Sequence, residues 1–302
     1  MKRIFIIALA ALVFYLGSAI ALHYGQKVHN ELAFDMETLF PPEIAYPAGQ
    51  IFATTIVEVV NGELDSFFGW RPNDFILWGP GPWADNNANR QTGIILAVRE
   101  TMRVFKDNLT KVSGADFDPN LLDADTFFRN DATKFWFPSA EKKFSEACGS
   151  LDLYVDGLKN PSAGSRPINK RNAELIKLFQ AWIELLSDAH AILFRKTGED
   201  GSPVRCWDTD DDFYKAQGYT HALYYFMLAL KREYDAELRG REVLGKLFDE
   251  VTGALEEASK LKPLIVLDGG PSGLFANHRR NLDGYINEAR SKIFSIQEEL
   301  DK

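Results

Sequence analysis

The chain has 302 residues and a formal net charge of -9 at pH 7, and 46% of its residues are hydrophobic. This composition is typical of a globular chain that buries one large core or two small ones. A nucleic-acid-binding protein needs a concentrated basic face. The acidic balance and the scattered lysines and arginines therefore argue against that class.

The amino terminus carries the strongest signal in the sequence. Lys2 and Arg3 precede an uncharged run from Ile4 to Leu22, which has 19 residues. At about 1.5 Å per residue, a helix of this length spans roughly 28 Å, close to the ~30 Å hydrocarbon core of a bilayer. The sequence therefore predicts a transmembrane anchor at residues 1–22, with the membrane contacted through residues 4–22.

A cleaved signal peptide is the alternative, because Ala19-Ile20-Ala21 fits a small-x-small cleavage site. The apolar region of a signal peptide is usually shorter, about 7 to 15 residues, which favours the uncleaved anchor. In both cases the positive charges before the span keep the amino terminus in the cytoplasm. The rest of the chain is then exported, as a single-pass protein.

The chain has two cysteines, Cys148 and Cys206. On the exported side of a membrane they face an oxidising compartment, where a disulfide typically contributes ~2–4 kcal/mol. Two buried thiols, which behave as small apolar residues, are the alternative. The sequence leaves both open.

After the span, the sequence predicts a linker at residues 23–47, which contain three prolines and little periodicity. Beyond it, apolar residues recur at steps of three and four in three segments that begin at Leu175, Leu244 and Leu282. This spacing is typical of helices that pack along one apolar seam. Further helices are predicted at about residues 48–67, 91–113, 121–136, 139–158 and 211–238.

Since no segment alternates as strands do, we expect an all-α fold, with the transmembrane helix followed by a bundle of about eight helices. The helical domain covers residues 48–302. The polar stretch 160–172 is either a boundary within that domain or a long surface loop of one bundle.

The segment 69–86 reads GWRPNDFILWGPGPWADN and holds half of the six tryptophans. Its glycines and prolines exclude a helix. The indole rings either anchor a long loop on the bundle or form a platform on which sugar rings stack. The candidate binding residues are Trp70, Arg71, Asp74, Trp78, Trp83 and Asp85.

Within this segment, Asp74 and Asp85 are also candidates for a carboxylate pair that hydrolyses a glycosidic bond. Their spacing does not require them to converge, and the chain has 43 acidic residues, which makes chance pairs common. The catalytic interpretation is therefore the weaker one.

The run CWDTDDDF, residues 206–213, holds three aspartates at the 1, 3, 5 spacing of a calcium loop. The positions that such a loop fills with glycine and a final glutamate hold Phe213 and Tyr219. The alternative is an acidic helix start, stabilised by the helix dipole. The three aspartates are Asp208, Asp210 and Asp212.

Two further groups are placed by helix prediction alone. His190 and His221 fall in different predicted helices and could meet in the core. An aromatic cluster of the predicted helix 211–238 would pack near Phe179 and Trp182. That cluster is Tyr219, Tyr224, Tyr225 and Phe226.

The arrangement of a basic start, one span, a linker with prolines and the run GWRPNDFILW from Gly69 to Trp78 resembles a family of uncharacterised single-pass bacterial envelope proteins. The resemblance implies an anchor in the bacterial inner membrane and a periplasmic domain. It implies no activity, substrate or catalytic residue.

The chain has no His-Glu-x-x-His, phosphate-binding loop, Gly-x-Ser-x-Gly or Cys-x-x-Cys motif. We therefore expect no cofactor and a non-catalytic role, as a scaffold or accessory protein that binds an envelope protein partner. A peptidoglycan- or glycan-binding module or hydrolase centred on residues 69–86 is the alternative.

Overall fold

The computed structural model describes residues 2–29, 34–66, 69–74, 85–111, 117–160, 164–197, 201–202, 204, 208–263, 266–267 and 276–302. Within these ranges the secondary structure is helical, and the described residues form no strand. The all-α prediction is confirmed.

Eleven α-helices lie in the described part of the chain. They are α1 Lys2–His29, α2 Met36–Leu39, α3 Gln50–Leu64, α4 Asn86–Val104, α5 Pro119–Phe128, α6 Ala140–Lys159, α7 Asn172–Leu193, α8 Asp208–Glu233, α9 Asp235–Leu238, α10 Glu242–Lys260 and α11 His278–Leu300. A π-helical turn, Phe105–Leu109, continues α4.

Each of the eight helices predicted for the bundle is present, and the largest error concerns 121–136. Helix α5 ends at Phe128, because Asp131 folds the following segment into a turn. The Asp131 carboxylate accepts hydrogen bonds from the backbone N–H and the hydroxyl of Thr133, at 2.9 and 2.8 Å. The amino-terminal helix α1 is longer than predicted and runs through residues 23–29 of the expected linker.

The helices from α3 onwards alternate in direction. Asn89 at the start of α4 contacts Asp211 at the start of α8, and Glu63 at the end of α3 contacts Arg90. At the opposite end, Glu233 closes α8 against Gly49, and Asn172 opens α7 against the last carbonyl of α11. We call the end where α4 and α8 begin the upper end.

This alternation puts the loops that join the helices into two groups. The loops 65–85, 129–139, 194–207 and 261–277 join helices at the upper end. The connections 105–118, 160–171 and 234–241 join them at the other end. The described candidate residues of segment 69–86, which are Trp70, Arg71, Asp74 and Asp85, and the helical part of the acidic run therefore belong to the upper end.

Helices α4 and α8 run parallel and approach each other most closely at two glycines. A Cβ atom on Gly93 would overlap the carbonyl oxygen of Lys215, and one on Gly218 would overlap that of Arg90. Any side chain at either position would push the helices apart. The two glycines thus fix the contact that positions both helix starts at the upper end.

One core unites residues on both sides of the stretch 160–172. Buried side chains from α6, such as Leu151, and from α7, such as Leu186, belong to the same hydrophobic cluster. The stretch itself is tied down, since the Ile168 N–H donates to the Ala48 carbonyl at 3.1 Å and the Asn169 N–H to the Leu109 carbonyl at 2.6 Å. Its described residues, from 164 onwards, thus contact the same bundle.

The predicted packing of the aromatic cluster is confirmed for Phe226. Trp182 packs against Phe226 with ring centroids 6.4 Å apart and against Phe179 at 5.6 Å. The Trp182 indole N–H donates to the Thr101 hydroxyl at 3.0 Å, which satisfies the one polar group of the ring. Phe226, Phe179 and Trp182 are fully buried core residues.

From Ile4 to Phe14, the side chains of α1 are exposed on every side of the helix. The consecutive residues Ile4, Phe5, Ile6 and Ile7 are 73%, 69%, 62% and 69% exposed. Residues that follow one another in a helix point about 100° apart, so four in a row cover the full circumference. Among the described helices, however, none combines the length and the apolar character that crossing a membrane requires.

Candidate functional site

Trp70 lies in the core and not on the surface. The indole N–H donates to the Ala132 carbonyl at 2.8 Å, and the ring packs edge-on against Phe144 with centroids 5.0 Å apart. Only 4% of the residue is exposed, so neither ring face is available to a sugar. The prediction that Trp70 forms part of a binding platform is wrong, because this ring anchors the loop. Trp78 and Trp83 lie outside the described residues.

Arg71 and Asp74 form a local ion pair beneath the surface. The Arg71 backbone N–H donates to the Gln91 side-chain oxygen at 2.8 Å. Burial raises the pKa of Asp74 above its ordinary value, with the Arg71 charge opposing the shift and the Glu141 charge adding to it. These contacts hold the segment 69–74 against α4 and α6, which is a structural role for both residues.

Asp85 has different neighbours from Asp74. Its carboxyl is hydrogen-bonded to that of Asp211, and the Asp210 charge lies close by. Burial is the main reason why the pKa of Asp85 rises to about 6, and repulsion from Asp210 adds to the rise. The Asn89 side-chain N–H donates to Asp211 at 2.7 Å. The structure thus pairs Asp85 with the acidic run and not with Asp74.

The first turn of α8 disperses the acidic run. Asp212 receives a hydrogen bond from the Arg195 guanidinium at 2.6 Å, whereas Asp210 lies near Asp85. Side chains two positions apart on a helix do not face each other, so the loop spacing on which the calcium prediction for Asp208, Asp210 and Asp212 rests is lost. No three His, Cys, Asp or Glu residues in the described ranges are grouped to hold a metal ion.

A cleft of about 590 Å³ lies beside the start of α8. We call it the basic cleft. The charged residues of its described lining are Arg195, Lys196 and Arg279, and the rest are Val204, Thr209, Val266 and Leu267. Its residues come from two parts of the chain, 195–209 and 266–279, which are far apart in sequence, so no local motif marks it.

The loop before α6 exposes three adjacent aromatic residues that the sequence pattern did not predict at the surface. We call Phe135–Phe137 the exposed aromatic loop. Phe135, Trp136 and Phe137 are 46%, 69% and 94% exposed, and the first two rings pack edge to face at 5.0 Å. The helix predicted for 121–136 included two of these residues. Three adjacent aromatic side chains at the surface form a contiguous apolar patch, and such patches are rarer than single exposed apolar residues.

His190 and His221 do not meet. His190 lies against Asp283 of α11, with 2.5 Å between the ring nitrogen Nδ1 and the carboxylate, whereas the His221 ring packs on Tyr225. Burial lowers the pKa of His221 well below its ordinary value, and the charges of Arg90 and Lys262 act in the same direction. Among the described residues, no group of three potential metal ligands includes either ring.

Cys148 is a buried free thiol in α6. Burial raises the pKa of this thiol to about 12, with the nearby acidic residues adding to the shift. A thiol in that state is unreactive, because the thiolate is the nucleophile. Of the two alternatives for the cysteines, Cys148 thus fits the buried thiol. Cys206 lies outside the described residues.

The fold and the site together define a class of protein, an up-and-down helical bundle with three features at one end. These are the basic cleft, the exposed aromatic loop and an acidic cluster formed by Asp85, Asp210 and Asp211. Residues 4–188 and 184–302 match the profile of a family described as uncharacterized protein conserved in bacteria (DUF2333). The chain belongs to this family. The resemblance seen through Gly69–Trp78 is confirmed to that extent, while single-pass envelope character stays a prediction. No curated protein and no solved structure matches the chain.

Proposed function

We propose that the protein is a membrane-anchored periplasmic scaffold or accessory protein of the bacterial cell envelope, and that it acts by binding and not by catalysis. The observation that carries the proposal is the exposure of apolar side chains on every side of α1 from Ile4 to Phe14. Such a surface is unfavourable in water by roughly 25 cal/mol per Å². A lipid bilayer is the environment that removes this cost on all sides at once.

No described helix combines the length and the apolar character of a membrane span, which argues against the anchor. Two observations support the anchor. The uncharged run Ile4–Leu22 has the length of the hydrocarbon core, as computed above, and lies within one continuous helix. Lys2 and Arg3 precede that run, and positive charge is retained on the cytoplasmic side. This orientation exports the bundle to the periplasm.

Membrane extraction of the full chain, expressed in a bacterial host, tests the anchor. We expect it to stay with the membrane in alkaline carbonate and to be digested by protease only after the outer membrane is opened. Replacing Leu12 and Val13 by Asp should release it, since each charge at the centre of a span costs about 2.5–3.5 kcal/mol. Leu12→Phe with Val13→Ile is the matched control.

Two results would contradict the anchor. One is recovery of the unaltered chain in the soluble fraction with an intact amino terminus. The other is a mature chain that begins after Ala21, as intact-mass measurement would show, because that result identifies a cleaved signal peptide.

The scaffold role rests on the exposed aromatic loop, Phe135–Phe137, as the surface that contacts an envelope protein. Aromatic side chains are enriched at protein interfaces because they bury a large area with few rotatable bonds. A photo-crosslinking amino acid at Trp136 should give a discrete adduct in living cells. The same amino acid at Leu153, an isolated exposed apolar residue of α6, is the control. Equal labelling at both positions would contradict the assignment.

A second candidate function, glycan binding or hydrolysis, is supported by the carboxyl cluster. A carboxyl with its pKa raised to about 6, beside two further carboxyl groups, resembles the acid–base arrangement of glycosidases. Mixing the full chain with cell-wall sacculi tests it. Release of soluble fragments that disappears with Asp85→Asn, but not with Asp249→Asn, would favour the enzyme. An intact wall with no bound protein would remove this candidate.

A further inference from the structure

The basic cleft is bounded by the end of α7 and the beginnings of α8 and α11. In a chain with a net charge of -9, its described lining contains three cationic side chains and no acidic one. Asp212 pairs with Arg195 and lies near the Arg279 charge, so it offsets part of this positive charge, whereas Lys196 is exposed and contributes nothing to packing.

Two of the cations are held in place by the fold. The Arg195 guanidinium donates to Asp212 at 2.6 Å. The Arg279 guanidinium donates to the Leu193 carbonyl and lies 5.6 Å from the centre of the Phe194 ring. Side chains fixed before a ligand arrives lose little conformational entropy on binding, which favours affinity.

The start of α11 adds to the positive character of the cleft. Arg279 is the second residue of this helix, whose first turn holds no acidic residue. The amino-terminal end of a helix carries roughly +0.5 of an elementary charge. The start of α8 also borders the cleft, through Thr209, but the aspartates of its first turn, Asp210, Asp211 and Asp212, offset the positive end of that helix.

The remaining wall is apolar. Val204, Val266 and Leu267 line the cleft, and Leu267 is fixed by two hydrogen bonds with His278, both of 3.0 Å. The volume of about 590 Å³ falls in the range of roughly 300–1,000 Å³ that is typical of small-molecule sites. It is large enough for a ligand with a body beyond a single inorganic ion.

We propose that the basic cleft binds a small amphiphilic anion, in which a phosphate or carboxylate head group contacts Lys196 and Arg279 and an apolar body contacts Val266 and Leu267. This site is separate from the exposed aromatic loop and from the anchor. The inference therefore does not depend on the proposed function.

Calorimetric titration of the full chain in a non-ionic detergent tests the proposal, with hexyl phosphate, hexanoate and inorganic phosphate as probes. We expect hexyl phosphate or hexanoate to bind, and the tighter of the two identifies the head group. Lys196→Gln and Arg279→Gln should each weaken binding about tenfold, because each removes a charge-assisted contact. Lys246→Gln, an exposed lysine of α10, should leave the affinity unchanged.

The structural contacts of Arg279 make Lys196→Gln the decisive variant, since its side chain is exposed and its loss does not threaten folding. Wild-type affinity in Lys196→Gln and Arg279→Gln would overturn the proposal. So would equal binding of hexyltrimethylammonium, which has the same body and the opposite charge. If inorganic phosphate binds as tightly as hexyl phosphate, the apolar part of the proposal is wrong.

Discussion

Trp70 and Trp136 lie in neighbouring loops of the upper end and differ in almost every physical respect. Trp70 is 4% exposed and donates its N–H to Ala132, in the loop that also contains Trp136. Trp136 is 69% exposed and packs on Phe135. The Trp70 ring holds the two loops together. The Trp136 ring lies on the surface of one of these loops.

The comparison shows that richness in tryptophan does not identify a binding surface. The segment around Trp70 has the composition of a ligand platform, yet this ring has a hydrogen-bond partner and a neighbouring Phe144 that enclose it. The segment around Trp136 has the composition of a helix. A backbone carbonyl within reach of the indole N–H favours burial of the ring, and the composition of a segment does not reveal such a carbonyl.

Removing each ring tests most directly whether Trp70 stabilises the fold and Trp136 does not. Trp70→Ala should lower the free energy of unfolding by about 3–5 kcal/mol, because it leaves a large cavity and an unpaired carbonyl. Trp136→Ala should change it by less than about 0.5 kcal/mol. Denaturant titration of both variants measures the difference, and similar losses would show that the exposed loop is itself part of the core.

The same contrast between buried and exposed positions applies to glycine. Gly218→Ala should destabilise the protein by about 3 kcal/mol, since the new methyl group collides with the backbone of α4. Gly149→Ala, at a helix position with no atom near the added carbon, should stabilise it by about 0.5–1 kcal/mol. Thermal unfolding of the two variants checks the sign, and a stable Gly218→Ala variant would mean that α4 and α8 are not in close contact.

Carboxyl groups give the smallest contrast and one that depends on pH. The pKa of Asp85 is raised from 3.8 to about 6, so the folded state favours its protonated form. Its contribution to stability is complete below pH 3.8 and is lost as the pH rises through about 6. Asp85→Asn should remove this loss, which amounts to about 1–2 kcal/mol after allowance for partial exposure.

Unfolding measured in parallel at several pH values isolates this group from the other acids. The advantage of Asp85→Asn over the wild type should grow from pH 4 to pH 7. Asp123→Asn, an exposed substitution on α5, is the control. A constant difference at every pH would place Asp85 in water.

Much of the helical framework could be predicted from the sequence, because the seams from Leu175, Leu244 and Leu282 record the side of each helix that faces the core. The helix ends were less accurate. The end of α5 depends on Asp131 accepting a backbone hydrogen bond, and a competing turn of that kind has no periodic signal.

The site was predicted less well than the fold. The sequence named Asp85 and Asp74 as a candidate pair, eleven positions apart, whereas the structure places Asp85 beside Asp210 and Asp211, which lie on a distant helix. The basic cleft unites Arg195 and Arg279, which are likewise far apart in sequence. Contacts of this kind depend on which helices lie next to each other. Apolar periodicity identifies the side of a helix that faces the core, but it does not identify the neighbouring helix.

The alternation of the helices has a practical consequence for handling the protein. Helix α11 starts at the upper end and carries the chain away from it for 23 residues, which is about 35 Å. A fluorescent reporter or an affinity handle joined after Lys302 would thus be attached at the pole remote from the acidic cluster, the cleft and the aromatic loop. Immobilised in that orientation, the bundle would present those three features to solution.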